Sequence, residues 1–579
     1  MNVWWWLAMA ACTDAKDNPC AAGFVAVGDR CEPVAEPSLG DSGQPGPTDS
    51  GSTPDTGEPP VAENAVLESG DEVNCADTTQ RTTRPYRTVQ RLEGETIDLS
   101  PWDPIAAAGF AVADFDTNGS LDLYLPQLEG DQLYMNVLES GATDSASTRV
   151  PATVGGGSAG AIAVDIDGDG DTDVFVPKAD QDHRFLINDG AGMFSDETEA
   201  MGLAEQGWPA VGAVFADGDG DGDLDMLVNT YRSCDDSMGP LPENPYTDGP
   251  QALWEHTADG TFEDVSTRIP DHPAGRSRLR AALWMDADRD GDPDVYTVSD
   301  RGYISECMVN NQFFRNTEGE YVDESDATSL GLQMEGMGIG YGDINGDGWP
   351  ELAMSDMQRA WLMESDGAGG WYDATFTRGL TLESSSDDRW SGWGTEMADV
   401  DNDGDLDLFM AFGGLPDAPG GSMNPWLQPD QLWLQQSDGS FDPVADDWGI
   451  ANTASTRAAH LTDLNGDGWL DLITREIAGQ VSIHLANCGE ARWIRVALTA
   501  PDKNRDALGA RVDVITEEGT QTRWVTQGTR GLQSSVPPTV HFGLGNTATI
   551  DLRVTWVDGE TSLFRNVPTN RNHRIERIP

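Results

Sequence analysis

Oxygen-bearing side chains recur at alternate positions in seven short stretches of this chain, and that spacing is suited to caging a hard cation. The clearest stretch is Asp165-Ile166-Asp167-Gly168-Asp169-Gly170-Asp171-Thr172-Asp173. Numbered from its first Asp, position 1 of the seven stretches is Asp114, Asp165, Asp217, Asp286, Asp343, Asp399 and Asp463. Position 3 is Asp116, Asp167, Asp219, Asp288, Asn345, Asp401 and Asn465, and position 5 is Asn118, Asp169, Asp221, Asp290, Asp347, Asp403 and Asp467. Position 9 is Asp122, Asp173, Asp225, Asp294, Glu351, Asp407 and Asp471. Calcium takes six to eight oxygens at flexible geometry, so these side chains can wrap one ion. The backbone carbonyl of position 7 (Ser120, Asp171, Asp223, Asp292, Trp349, Asp405, Trp469) would complete the set. Position 6 is Gly in every copy, which permits the sharp turn that aims the oxygens inward. About seven structural calcium ions are therefore expected, one per loop, numbered loops 1 to 7 below.

The helix–loop–helix calcium site ends in a bidentate Glu at position 12. Here position 12 is Leu125, Val176, Val228, Thr297, Met354, Met410 and Thr474. β-type runs such as Leu406-Asp407-Leu408-Phe409-Met410 follow the loops, so each is predicted to be a turn between two strands. The loop starts are 51, 52, 69, 57, 56 and 64 residues apart. That period fits a four-stranded sheet with its connections, the unit of a β-propeller. Hairpin signals recur at a constant place in the unit, as in Asp189-Gly190, Asp259-Gly260, Glu318-Gly319 and Asp438-Gly439. The fold expected is all-β, a seven-bladed propeller spanning residues 84–488. The last unit has room for only two strands after its loop begins the second, so Tyr86–Leu92 is expected to return as its outer strand and close the ring.

These units resemble FG-GAP or VCBS repeats, the propeller repeats of integrin α chains and many secreted bacterial proteins. After Cys488 the charge changes sharply. Residues 489–579 hold 12 Lys and Arg against 10 Asp and Glu, and residues 1–488 hold 22 against 90. Alternation in Ile494, Val496, Leu498, then Val512, Val514, then Ile550, Leu552, Val554, Trp556 predicts a small all-β domain over 489–579. Asn504–Val512, His541-Phe542-Gly543-Leu544-Gly545 and Val554–Gly559 resemble the ASPIC/UnbV domain that follows such propellers in cartilage-acidic-protein-like proteins. The resemblance implies extracellular or surface placement and calcium binding, and no particular reaction.

The chain of 579 residues carries a net charge of −66, which makes nucleic acid an improbable partner. Residues 1–12 are an apolar run ending in Cys12 and resemble a lipoprotein signal, with Cys12 as the lipidated residue. Cleavage after Ala8-Met9-Ala10 is the alternative. Membrane attachment is expected only through that lipid. Residues 13–34 form a small Cys-containing segment, and 35–83, rich in Pro, Gly, Ser, Thr and Asp, reads as a disordered linker. Without Cys12, six cysteines remain and allow fifteen pairings. Three are sensible by position: Cys20 with Cys31, Cys234 with Cys307, and Cys75 with Cys488 across the seam of the ring.

Catalytic patterns are sparse. Gly156-Gly157-Ser158-Ala159-Gly160 matches a nucleophile elbow in letters, but that motif needs a strand before it and a helix after it. The seven His residues form no zinc spacing. Arg276, Arg278 and Arg280 make a basic cluster that either receives an anion or pairs with neighbouring carboxylates. The expectation is an exported, monomeric binding or adhesion module for a protein or glycan, located at the outer membrane, cell surface or outside the cell. Two inserts, 231–250 and 413–429, are where recognition would sit. The alternatives are a polysaccharide lyase or hydrolase on the same scaffold and an envelope-assembly scaffold.

Overall fold

A computed structural model describes residues 24–27, 30–33, 64–73 and 85–92, and 109–578 apart from 128–129, 139–157, 159, 179–182, 204–209, 231–251, 271–277, 301–308, 318, 358, 383–389, 415–427, 478 and 529–531. The chain divides into two compact units, 1–60 and 61–579. The first contains an antiparallel hairpin, Phe24–Val27 with Arg30–Pro33. Cys31 lies in its second strand. Cys12, Cys20, Cys75, Cys234 and Cys307 lie outside the described residues, so the lipid and the pairings expected there fall outside them as well.

Among the described residues of the second unit, seven antiparallel sheets of three to five strands follow the chain, and each contains one loop. The third sheet shows the pattern. Ala210–Ala216 leads into loop 3, Asp225–Thr230 returns beside it, then Ala252–His256 and Phe262–Asp264 are added outward. Every residue of the inner two strands is buried, because one face packs on each neighbouring sheet. Apolar clusters occupy the spaces between consecutive sheets. One joins Val174 and Val176 to Tyr124 and Leu133, and another joins Leu227 and Val214 to Trp284 and Phe314. A further cluster joins Leu123 and Val112 of the first sheet to Ile473 and Ile483 of the seventh, so packing runs from the last sheet back to the first. Tyr86–Leu92 pairs with Val481–Ala486 as the fourth strand of the seventh sheet, as the spacing predicts. Cys488, just beyond, is disulfide-bonded.

Two further four-stranded sheets are built mainly from residues after 488. One contains Arg492–Thr499, Val540–Gly545 and Arg571–Arg577; the other contains Arg511–Ile515, Thr520–Trp524, Thr549–Thr555 and Thr561–Pro568. The predicted alternating residues, from Ile494 to Trp556, are all buried. The expected disordered linker over 35–83 needs correction. Ala65–Ser69 is a strand on the edge of the first of these sheets, paired with His573–Arg577. Its Leu67 packs on the shared core, and its backbone satisfies the edge that Arg571–Arg577 would otherwise leave open.

The C-terminal domain does not stand apart from the propeller. Leu508, Val525 and Val540 belong to one apolar cluster with Phe175 and Phe215 of the second and third sheets. Its chain also runs along the innermost strands of the ring. Gln527 and Gly528 pair with Phe215 and Val214 of the third sheet. Ser535 bridges to Ala111 of the first sheet, and its hydroxyl accepts from Ala163 N of the second at 2.7 Å. Leu532 shares a cluster with Met337 and Trp393 of the fifth and sixth. Gly109 and Gly160 make room for this segment, because a Cβ on either would lie 1.8 or 2.2 Å from the Gln533 carbonyl oxygen.

Candidate metal loops and their cover

The seven loops share one hydrogen-bond scheme. The position-1 carboxylate accepts the amide of the position-6 Gly in every copy, at 2.8 Å in loop 1 and 3.3 Å in loop 4. Those Gly residues have φ between 81° and 110°, a conformation that excludes most side chains. The position-5 oxygen accepts the amide of position 7. The loop is therefore held by its own side-chain oxygens.

Position 9 has a second role that spacing alone did not reveal. One of its oxygens accepts the amide of position 2, as in Ile166 N to Asp173 at 3.1 Å. The other accepts an amide at the end of the third strand, as in Asn188 N to Asp173 at 2.8 Å. This buried carboxylate pins loop, second strand and third strand together. Burial pushes Asp173, Asp225 and Asp294 up to about 8 and Glu351 to about 9, with these hydrogen bonds opposing the shift and neighbouring carboxylates adding to it. Asp407 and Asp471 are raised for the same reason.

Among the described residues, five loops bring three carboxylate oxygens within 4.8 Å of one another. Loops 1, 2 and 6 do so with positions 1, 3 and 9 (Asp114, Asp116, Asp122; Asp165, Asp167, Asp173; Asp399, Asp401, Asp407). Loops 3 and 4 do so with positions 1, 3 and 5 (Asp217, Asp219, Asp221; Asp286, Asp288, Asp290). Buried Oδ1 atoms of Asp116, Asp217 and Asp286 have no hydrogen-bond partner, which is the condition an ion would relieve. The donors are all hard oxygens, so the set suits a hard divalent ion. Loops 5 and 7 carry an amide at position 3. Asn345 donates to Glu351 at 3.3 Å, and Asn465 to Asp467 at 3.0 Å. Loop 4 contains a cation of its own: Arg315 reaches Asp294 at 2.7 Å and Asp288 at 3.2 Å. Nothing in the spacing announces Arg315, which arrives from the third strand of the sheet.

The C-terminal domain lies over this end of the propeller. Asn504 N donates to Gly222 O of loop 3 at 2.9 Å, and Lys503 reaches Asp223 at 3.4 Å. Gly543 N donates to Asp399 Oδ2 of loop 6 at 3.1 Å, and His541 Nε2 meets Asn402 Oδ1 at 2.7 Å. Arg495 Nη1 donates to the Asp463 carbonyl of loop 7 at 3.2 Å. Arg278 and Arg280 both reach Asp300, at 3.2 and 3.1 Å, so the paired reading of that basic cluster holds for these two. Arg276 lies outside the described residues. Ser158 is buried, sits in a bridge with Lys178 and donates to Asp131 at 3.4 Å, and a strand rather than a helix follows it. It is not a nucleophile elbow.

Sheets, turn geometry and capping domain define a class, a β-propeller built of acidic-loop repeats and closed at one end by a β-domain. The FG-GAP-like repeat family matches residues 165–228, 286–354 and 343–410, and the ASPIC and UnbV family matches 500–578. The chain thus carries FG-GAP-like repeats and a C-terminal ASPIC and UnbV domain. It is similar to cartilage acidic protein 1 of Xenopus tropicalis, 26% identical over 267 residues that cover 43% of this chain and 38% of that protein. Cartilage acidic protein 1 of Homo sapiens is 31% identical over 122 residues, 20% of this chain and 18% of that protein. The matched part is thus well under half the length of these relatives. Among solved structures, BP39L lectin from Burkholderia pseudomallei superposes with a TM-score of 0.40 at 11% identity, covering 67% of this chain and 98% of that chain. The N-terminal domain of Nup159 gives 0.35 at 8% identity, covering 72% and 98%.

Proposed function

We propose that this protein is exported and held at a membrane by lipid on Cys12, and that its calcium-loaded propeller is a rigid module that binds a protein or glycan at the cell surface. One observation carries the reading. The C-terminal domain covers the loop end of the sheets and fills their inner side, while the strand ends that bracket the two long inserts lie at the other end. Their stems are the strand ends Thr230 and Ala252, and Phe412 and Gln431, which the antiparallel order puts opposite the loops. Long connections on a stiff scaffold are suited to recognition. Calcium has a structural role here, neutralising facing carboxylates and fixing each turn. The Cys75–Cys488 pairing would lock the seam where Tyr86–Leu92 closes the seventh sheet. No catalytic role is proposed.

The test is capture by immobilised residues 61–579 from surface extracts and a panel of acidic and neutral glycans, in calcium and in chelator. A partner held only in calcium supports the reading. A glycan returned shortened or unsaturated replaces it with a lyase or hydrolase, and capture of nothing leaves the envelope scaffold.

A further inference from the structure

Between the propeller and the C-terminal domain lies a cleft of about 330 Å³, within the range of small-ligand sites. Loops 3 and 4 flank it through Asp217 and Asp286, and its rim at Gly291 and Gly559 is exposed. One wall is a single row across the second C-terminal sheet. Trp524, Arg511 and Thr555 are direct cross-strand neighbours, so their side chains leave the same face side by side. Tyr341 stands against Trp524 with ring centroids 5.0 Å apart, and Trp284 belongs to the facing wall. The hydroxyls of Thr555 and Thr526, both cleft-lining, are buried without a hydrogen-bond partner. Arg511 Nε lies 3.4 Å from Asp513, but Asp513 is shared with Arg553 at 2.7 Å, so the row keeps positive charge. Arg289 adds a second guanidinium, which donates to the Gly348 carbonyl.

We infer that this cleft binds a carboxylate-bearing sugar residue, its ring against the aromatic wall, its carboxylate on Arg511 and its hydroxyls on Thr526 and Thr555. The inference rests on the binding reading above and goes beyond it, since the cleft lies at the loop end, away from the inserts. Aromatic rings supply flat apolar contact, guanidinium matches a carboxylate in shape and charge, and unpartnered hydroxyls gain what they lack. Asp217, Asp286 and Asp290 line the propeller side of the cleft, so the ligand's carboxylate is placed on the opposite wall, at Arg511, and a divalent ion in each of loops 3 and 4 would offset part of the charge facing it. Nothing in the repeat spacing points to this place, because its two walls come from different domains.

Isothermal titration of residues 61–579 in calcium with a galacturonate trimer, and with a galactose trimer as neutral comparison, tests it. Binding of the acidic trimer alone is expected. Arg511→Gln should weaken it about tenfold and Thr555→Val, an isosteric change at an unpartnered hydroxyl, about fivefold. Thermal midpoints in calcium should be unchanged, which separates lost contacts from lost fold. Equal binding of the neutral trimer overturns the acidic class. Acidic binding that both variants retain overturns the cleft and leaves the binding module standing. No sugar bound, while capture yields a protein, likewise overturns only this inference; failure of both experiments removes the binding reading itself.

Discussion

Loop 1 and loop 6 have the same motif and the same internal hydrogen bonds, yet they sit in opposite surroundings. In loop 1, Thr117, Asn118 and Gly119 are exposed, and a Cβ on Gly119 would meet nothing within 4 Å. In loop 6, Asp399 and Asn402 are each 1% exposed, and both are hydrogen-bonded to the C-terminal domain. The motif thus does two jobs. In the open it stiffens one turn between two strands. Under the cap it is also a joint, because Asp399 accepts Gly404 N within the loop and Gly543 N from the other domain on the same Oδ2. An ion that organises Asp399 organises both contacts at once.

Removing all ions should produce the largest effect. An ion bound only by the native state stabilises it by mass action, so excess chelator should lower the thermal midpoint by on the order of 10 °C. An unchanged midpoint would leave the loops as metal-free turns. The pH dependence of the chelated protein carries a definite sign. Asp173, Asp225 and Asp294 are held at about 8 in the folded protein, against roughly 3.9 when unfolded. Between those values the native state binds more protons than the unfolded one, so metal-free stability should rise as pH falls from about 8 towards 4. Calcium competes with those protons, so its stabilising increment should shrink over the same window. Melting curves with and without calcium at pH 8 and 6 check both statements.

The comparison can next be broken at its glycines. A Cβ at position 543 would lie 2.1 Å from Asp399 Oδ2 and 2.3 Å from the Asn402 Cα. Neither atom can retreat without opening the loop, so Gly543→Ala should cost about 3 kcal/mol or more. Protease should then cut selectively within 489–579. Gly119→Ala meets no atom and pays only for its φ of 89°, about 1–3 kcal/mol, without loosening the domain. Equal proteolysis of the two variants would refute the joint.

The parts of this architecture written in local residue patterns were legible from sequence. Seven loops, their hairpins and the closing strand at Tyr86–Leu92 each depend on spacing within one unit or on one missing strand. What escaped depends on contacts between units. Gln527, Gly528, Ser534 and Ser535 are polar or small, with no alternation to mark them as buried, and Gln527, Gly528 and Ser535 are placed by docking on Ala111, Ala163 and Val214. Arg315 enters loop 4 from a strand in which only Phe313 and Phe314 are apolar and nothing marks the Arg as facing the loop. Ala65–Ser69 was hidden by the composition of its neighbours, although Val66 and Leu67 break that composition.

The smallest expected effect is the sharpest test of what an ion does in each setting. Asp116 and Asp401 both occupy position 3, and both belong to a convergent set of three carboxylates. Replacing either with Ala removes one ligand and leaves the backbone scheme at position 1 intact. In loop 1 the loss concerns a turn that already faces water, so Asp116→Ala should cost below about 1 kcal/mol. In loop 6 the freed charge on Asp399 and Asp407 stays buried under the cap. Asp401→Ala should therefore cost about 2 kcal/mol more and increase hydrogen exchange at Gly543 and Gly545, whose amides bond to Asp399 and to the Asn402 carbonyl. If the exchange change stays within residues 399–407, loop and cap are merely adjacent. If it extends to Gly543 and Gly545, the acidic turn of the sixth sheet holds the two domains together.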